Sequence, residues 1–344
     1  MGEQAADAAG EHTEETRMRD KDRHKDRGRQ RRGLAAAEER LFDVLGLAPA
    51  SRQVALREAP VEQARVLEVG EGPPLLFVHG AGMTAAVWAP LLAELPHRHS
   101  ICVDLPGYGL TDPFDYRGVD LREHARTFLS ALLDALGLDA VPVVANSLGA
   151  TFSLYLAAAH PGRVTRQALL GAPGIAFPGA QPSPAMRLYS RPALSRVASA
   201  LSPPITPGIT RRILTSVCGR PAVANVPEAM IEVVTAATHI SEPTTRTLTP
   251  ELFAAGRPRP ELALTEAELA AITAPTRLVW GSQDRFQPPA AGRDAATVLA
   301  DAELVEVRGG HHPWWDDPAG CAALLDEHLV APQDEDGDRG QTHR

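Results

Sequence analysis

Val143-Val144-Ala145-Asn146-Ser147-Leu148-Gly149-Ala150 decides how this chain is to be read. A β-branched run ends in small-x-Ser-x-Gly and passes at once into helix-forming residues. A strand that turns this sharply into a helix holds its serine at the tip in a strained conformation. Only small residues two positions before and after the serine let neighbouring backbones come close enough. Those positions are Ala145 and Gly149, so alanine stands where glycine is usual, the smallest departure a side chain can make. The same pattern also arises as a chance turn, and the rest of the chain has to supply what such a serine needs.

Serine is a poor nucleophile without a base, and the base needs an acid to orient it. The acid candidate is Asp284, in Leu278-Val279-Trp280-Gly281-Ser282-Gln283-Asp284, where an apolar strand ends and delivers a carboxylate to the sheet edge. The preceding strand ends in Gly171-Ala172-Pro173-Gly174 and offers no rival carboxylate. The base candidate lies in Arg308-Gly309-Gly310-His311-His312-Pro313, after the last strand, and on chemistry alone either histidine serves. The chain order Ser147, Asp284, His311 differs from that of the two common serine-protease folds. An oxyanion hole would take one N–H from Leu148 and the other from Ala81, in the small-residue loop His79-Gly80-Ala81-Gly82-Met83. His79, at a strand end before glycine, is expected to set that loop and not to act as a base.

Outward from these loops, strands and helices alternate. Arg52 to Glu58 and Glu62 to Glu68 alternate apolar with polar, as half-exposed antiparallel strands do. Pro74 to Val78, Ile101 to Asp104, Val141 to Ala145, Gln167 to Gly171, Thr276 to Gly281 and Glu303 to Val307 read as later strands, and the first three are continuously apolar. Such runs fit a parallel sheet covered on both faces. Ala35 to Leu47, Leu121 to Leu136 and Gly320 to Val330 carry helical periodicity. The pattern predicts a doubly wound, mostly parallel α/β sheet with a two-stranded antiparallel start. Residues 174–273 are proline-rich and helical in pattern, too long for a loop, and are expected to form a cap over the carboxyl ends of the strands. The core is then 34–173 and 274–331. Residues 1–33 and 332–344 read as polar, unfolded tails.

With these pieces in place, the chain resembles the capped serine hydrolases of the α/β-hydrolase fold. The resemblance rests on Phe77-Val78-His79-Gly80, Asp104-Leu105-Pro106-Gly107-Tyr108-Gly109-Leu110-Thr111-Asp112, Ala145-Asn146-Ser147-Leu148-Gly149, Trp280-Gly281-Ser282-Gln283-Asp284 and Gly310-His311-His312-Pro313. It spans about residues 50–330 and implies an eight-stranded sheet. The family's Gly-His-x-Pro pattern selects His311 over His312 as base, and leaves Asp104 and Asp112 as structural turn residues. The implied reaction is acyl transfer through an acyl-enzyme, with a small or medium apolar carboxylic ester or lactone as substrate and no cofactor. Serine at the elbow disfavours epoxide hydrolases and dehalogenases, which use aspartate there.

A carbon–carbon hydrolase of diketone or dienone acids is the alternative. Asn146-Ser147-Leu148-Gly149 and Asp284-Arg285-Phe286 are similar to that group, whereas the His79–Met83 loop lacks its Ser/Gly-Pro-Gly pattern. A non-hydrolytic cyclase or a ligand-binding protein on the same fold is a further alternative. Gly80, Asn146, Phe177, Phe286, His312 and Trp314 are expected to line the pocket, and Arg211 or Arg212 could clamp a substrate carboxylate. No spacing suggests a metal site. A net charge of −9 argues against nucleic acid as partner, and no apolar run reaches membrane-spanning length. Three separated cysteines, Cys102, Cys218 and Cys321, read as free thiols of a cytoplasmic monomer or homodimer.

Overall fold

The computed structural model describes residues 25–191, 194–195 and 204–329. Among these residues ten strands run in chain order: β1 (Ala50–Ala55), β2 (Gln63–Val69), β3 (Pro74–Val78), β4 (His99–Val103), β5 (Val141–Ala145), β6 (Val164–Leu170), β7 (Phe253–Ala254), β8 (Arg257–Pro258), β9 (Thr276–Gly281) and β10 (Ala302–Val307). Eight form one sheet in the order β1-β2-β4-β3-β5-β6-β9-β10, and β7-β8 is a separate small hairpin. β1 and β2 are antiparallel to each other, and β2 to β4; every pair from β4 to β10 is parallel. From β3 the chain goes to β4 on one side and later to β5 on the other. The carboxyl ends of β3 and β5 therefore flank the point where winding reverses, which is where such sheets hold ligands.

The continuous apolar strands are explained by the two faces they cover. Leu76, Val78, Val143, Ala145 and Leu278 enter one cluster with α2 (Leu121–Leu136) and α3 (Leu148–Ala159). Their sequence neighbours Leu75, Phe77, Val144 and Val279 enter the other, with the helix of Pro318–Leu329. Side chains alternate along a strand, so both phases must be apolar when both faces are buried. α2 begins on Asp120, whose side chain accepts from the amides of Arg122 and Glu123, and ends on Gly137 in the left-handed conformation.

One boundary expected from sequence is corrected. Residues 25–45 form a helix, α1, so 25–33 belong to the fold and not to a tail. Leu34, Ala37, Leu41 and Phe42 bury one stripe of it, and the Arg31 guanidinium donates to the carbonyls of Leu110 and Thr111. Composition missed this because the anchoring acceptors lie about eighty residues away. Glu38 of the same helix is buried against Arg65 at 2.5 Å, and Arg65 also reaches Asp104 at 3.2 Å. Burial pushes the Glu38 carboxyl up to about 7 despite the nearby guanidinium. The tail expectations for 1–24 and 332–344 lie outside the described residues.

Between β6 and β9 the chain builds the helical insertion, mainly α4 (Pro207–Cys218) and α5 (Glu228–Leu252). α5 runs through Pro243 and Pro250, against the usual helix-breaking role of proline. The insertion seats on loops at the carboxyl edge: Thr244 Oγ1 donates to Phe114 O, and Thr247 Oγ1 accepts from the Tyr116 amide. The packing leaves no slack, since a Cβ on Gly107 would lie 2.4 Å from Thr244 Oγ1.

Candidate active site

β5 hands the chain to Ser147 in a conformation L-residues rarely adopt, φ 52° and ψ −117°. Strain of this kind costs of order 1–3 kcal/mol and persists only where packing enforces it. The enforcement is visible on both sides. The Asn146 amide donates to Val78 O at 3.1 Å, and a Cβ on Gly149 would lie 2.2 Å from that same carbonyl. Gly149 is thus required by the approach of α3 to the end of β3, while Ala145, fully buried between Val78 and Leu169, has room for its methyl. Ser147 itself is only half-buried at the tip.

The loop after β3 closes directly on the serine. A Cβ on Gly80 would lie 2.9 Å from Ser147 Cβ, so only glycine lets the two backbones meet. Neither the Ala81 N–H nor the Leu148 N–H has an acceptor among the described residues. His79 is fully buried; its Nδ1 donates to Gly80 O at 2.7 Å and its Nε2 accepts from the Leu105 amide at 3.0 Å. Those partners fix one neutral tautomer, and burial lowers the pKa of the ring. His79 therefore shapes the loop and has no free nitrogen for proton transfer.

Asp284 and His311 meet across the loops after β9 and β10, which are zipped by Ser282 N to Val307 O and Gln283 N to Gly309 O, both 2.8 Å. His311 Nδ1 donates to Asp284 Oδ2 at 2.8 Å, leaving Nε2 as the nitrogen available to accept a proton. The same carboxylate accepts from the Ala172 amide at 3.0 Å and the Phe286 amide at 2.8 Å. Burial acts to raise the Asp284 pKa, but His311 and these donors outweigh it and hold the carboxyl below its ordinary value. The Asn146 side-chain amide donates to His311 O at 3.1 Å and to Leu170 O at 2.6 Å, tying the serine's neighbour to the base loop. Gly171 admits that loop: with φ +77°, a Cβ there would lie 2.2 Å from His311 O. Ser147 Oγ makes no hydrogen bond to His311 among the described residues, and such bonds commonly tighten only when substrate is bound.

The expected pocket residues divide sharply. Phe286 is half-buried with its ring 5.5 Å from that of His311, and Gly80 abuts Ser147. The other four are buried. Phe177 stacks on Trp280 in the core, and Trp314 stacks on Trp88 at 4.3 Å while its indole donates to Val87 O. The Asn146 amide nitrogen is spent on backbone carbonyls, and His312 is buried against Cys218 Sγ at 3.3 Å. Large aromatic area draws such residues inward, and a single sequence does not tell lining from core. Arg211 pairs with Glu228 on the surface and Arg212 is exposed, so neither is held as a clamp. The Cys218–His312 contact went unforeseen; its members are separated by 94 positions and no local pattern links them. Among the described residues, no group of three or more His, Cys, Asp or Glu could hold a metal, and no helix is long and apolar enough to cross a membrane.

This arrangement of sheet, elbow and opposing loops defines a class, and comparison with known proteins places the chain in it. The sequence profile of the alpha/beta hydrolase family matches residues 75–324. The chain belongs to that family. It is 29% identical over 293 residues to the 2-hydroxy-6-oxononadienedioate/2-hydroxy-6-oxononatrienedioate hydrolase 2 of Pseudomonas putida, covering 78% of this chain and 92% of that one. It is 28% identical over 271 residues to the pimeloyl-[acyl-carrier protein] methyl ester esterase of Chromobacterium violaceum, covering 76% and 96%. Naproxen esterase from Bacillus subtilis shares the fold with a TM-score of 0.68 at 19% identity, covering 86% of this chain and 97% of that one.

Proposed function

We propose that this hydrolase cleaves a small to medium apolar carboxylic ester or lactone through an acyl-enzyme on Ser147. The observation that carries the reading is the His311 Nδ1–Asp284 Oδ2 hydrogen bond, set at the sheet edge where strained Ser147 stands. Ser147 Oγ attacks the carbonyl as His311 Nε2 takes its proton, and Asp284 holds the imidazolium. The amides of Ala81 and Leu148 receive the oxyanion, each worth about 3 kcal/mol of barrier. His311 returns its proton to the leaving alcohol and then activates water for the second attack.

An ester is favoured over a diacid in that two arginines of the cap have other partners: Arg187 Nε donates to Pro182 O, and Arg211 pairs with Glu228. The carbon–carbon reading has its own support in the Pseudomonas relative, whose name describes dienedioate hydrolysis. Both readings predict fluorophosphonate labelling of Ser147, and absence of labelling in folded protein would sink both. A panel of p-nitrophenyl esters, lactones and dienone acids then separates them; turnover confined to the dienone acids would replace the ester reading with the carbon–carbon one. The proposal places the enzyme in the cytoplasm, where the buried free thiols Cys102, Cys218 and Cys321 stay reduced.

A further inference from the structure

Cys218 is the last residue of α4 in the cap, and it is buried against the loop that carries His311. Its Sγ lies 3.3 Å from His312 Nδ1. The backbone is equally close, for a Cβ on Gly310 would lie 2.2 Å from Cys218 O. The His312 ring stacks beside His311, with centroids 5.6 Å apart and planes 29° from parallel. On its other sides His312 meets Trp314 at 4.8 Å and Trp315 at 4.7 Å, and both indoles donate to Val87 O, just beyond the loop that bears Ala81. One imidazole thus touches the cap, the base and the aromatic wall behind the oxyanion loop.

The charge state of the pair decides what it can do. Burial pushes the Cys218 thiol up, helped by the carboxylates of Asp284 and Asp316. Burial pushes His312 down, helped by His311. The contact therefore joins a neutral thiol to a neutral imidazole, and is not a thiolate–imidazolium nucleophile pair. A neutral hydrogen bond with both partners buried fixes geometry without adding charge beside the base.

We propose that Cys218 and His312 form a latch by which the cap positions the His311 imidazole. The proposal rests on the reading of His311 as base. Its members are positioning residues: neither touches the reacting atoms.

The test uses the full chain and the variants Cys218→Ala, Cys218→Ser and His312→Phe, with p-nitrophenyl acetate as substrate. Cys218→Ala is expected to lower kcat about tenfold, the scale of one lost hydrogen bond, with KM changed less than about twofold. Cys218→Ser keeps a group that can hydrogen-bond His312 and should recover most of that loss, while His312→Phe should match Cys218→Ala. Unchanged kcat in Cys218→Ala overturns the latch. So does an equal loss in both cysteine variants tracking equal falls in Tm, which marks packing alone. A second readout is the downfield proton signal of His311 Nδ1–H in the imidazole NMR spectrum. Cys218→Ala should shift or broaden it and Cys218→Ser restore it; an unmoved signal overturns the proposal. This readout stands even if wild-type protein fails to label with fluorophosphonate, a result that would strike the base reading and not the latch.

Discussion

The loops at the carboxyl edge of the sheet and the cap that covers them are held by different means. At the edge, the loops that carry the candidate catalytic groups close on one another through tight backbone contacts. Gly149 sits under Val78 O, Gly80 against Ser147, and Gly171 under His311 O. In the cap, position comes from side chains meeting across long sequence separations, as with Thr244 and Phe114 O or Cys218 and His312. The first mode tolerates almost no variation in residue size. The second tolerates many partners of suitable shape.

The comparison breaks if mutations at the edge act like mutations in the cap. Ser147→Ala should reduce ester turnover by at least about 10⁴-fold and abolish fluorophosphonate labelling. Denaturant unfolding should show its stability intact, because the strained backbone is enforced by neighbours and not by the hydroxyl. Asp284→Asn should cost about 10³–10⁴-fold in kcat by leaving His311 in the wrong tautomer, measurable with the same substrate.

A smaller effect tests the junction between the regions. His124 is buried among Phe114, Tyr116 and Phe152, and burial lowers its pKa to about 4. A histidine neutral in the fold but protonatable when unfolded gives stability that is complete above its free value near 6.5. That stability is lost progressively as pH falls towards 4. Thermal melts of His124→Phe should show a flatter acid limb, by roughly 3 kcal/mol at pH 4, with the neutral-pH effect set by repacking alone. The smallest change is expected in the cap: Arg211→Ala should leave kcat/KM for neutral esters within about twofold, since an exposed ion pair contributes little. A large loss confined to acidic substrates would instead restore Arg211 as a clamp.

Much of the edge was legible in the residues. Small-x-Ser-x-Gly after a β-branched run, Asp284 after β9 and His311 after β10 were each marked by a strand end, and the structure brings Asp284 and His311 into hydrogen-bonding contact. The helix Leu121–Leu136 was readable to its ends, because Asp120 and Gly137 are strong local signals. The pocket was not readable. Phe177, Trp314 and His312 carry the residue types of a lining, and all three are buried. The N-terminal segment misled in the opposite sense: its charged composition concealed the first turns of a helix, residues 25–33, whose Arg31 finds acceptors in the loop after β4.

What the sequence determined by itself is therefore the fold, the elbow at Ser147 and the order of its partners. These depend on periodicity and on glycine or small residues at fixed short offsets, which are local properties. His311 was selected as partner of Asp284 by the Gly-His-x-Pro resemblance, and only the tertiary structure decided that His312 is locked to Cys218 and which aromatics are core. Those outcomes turn on burial and on contacts between residues tens to hundreds of positions apart, and one chain read alone does not encode such contacts in any local pattern.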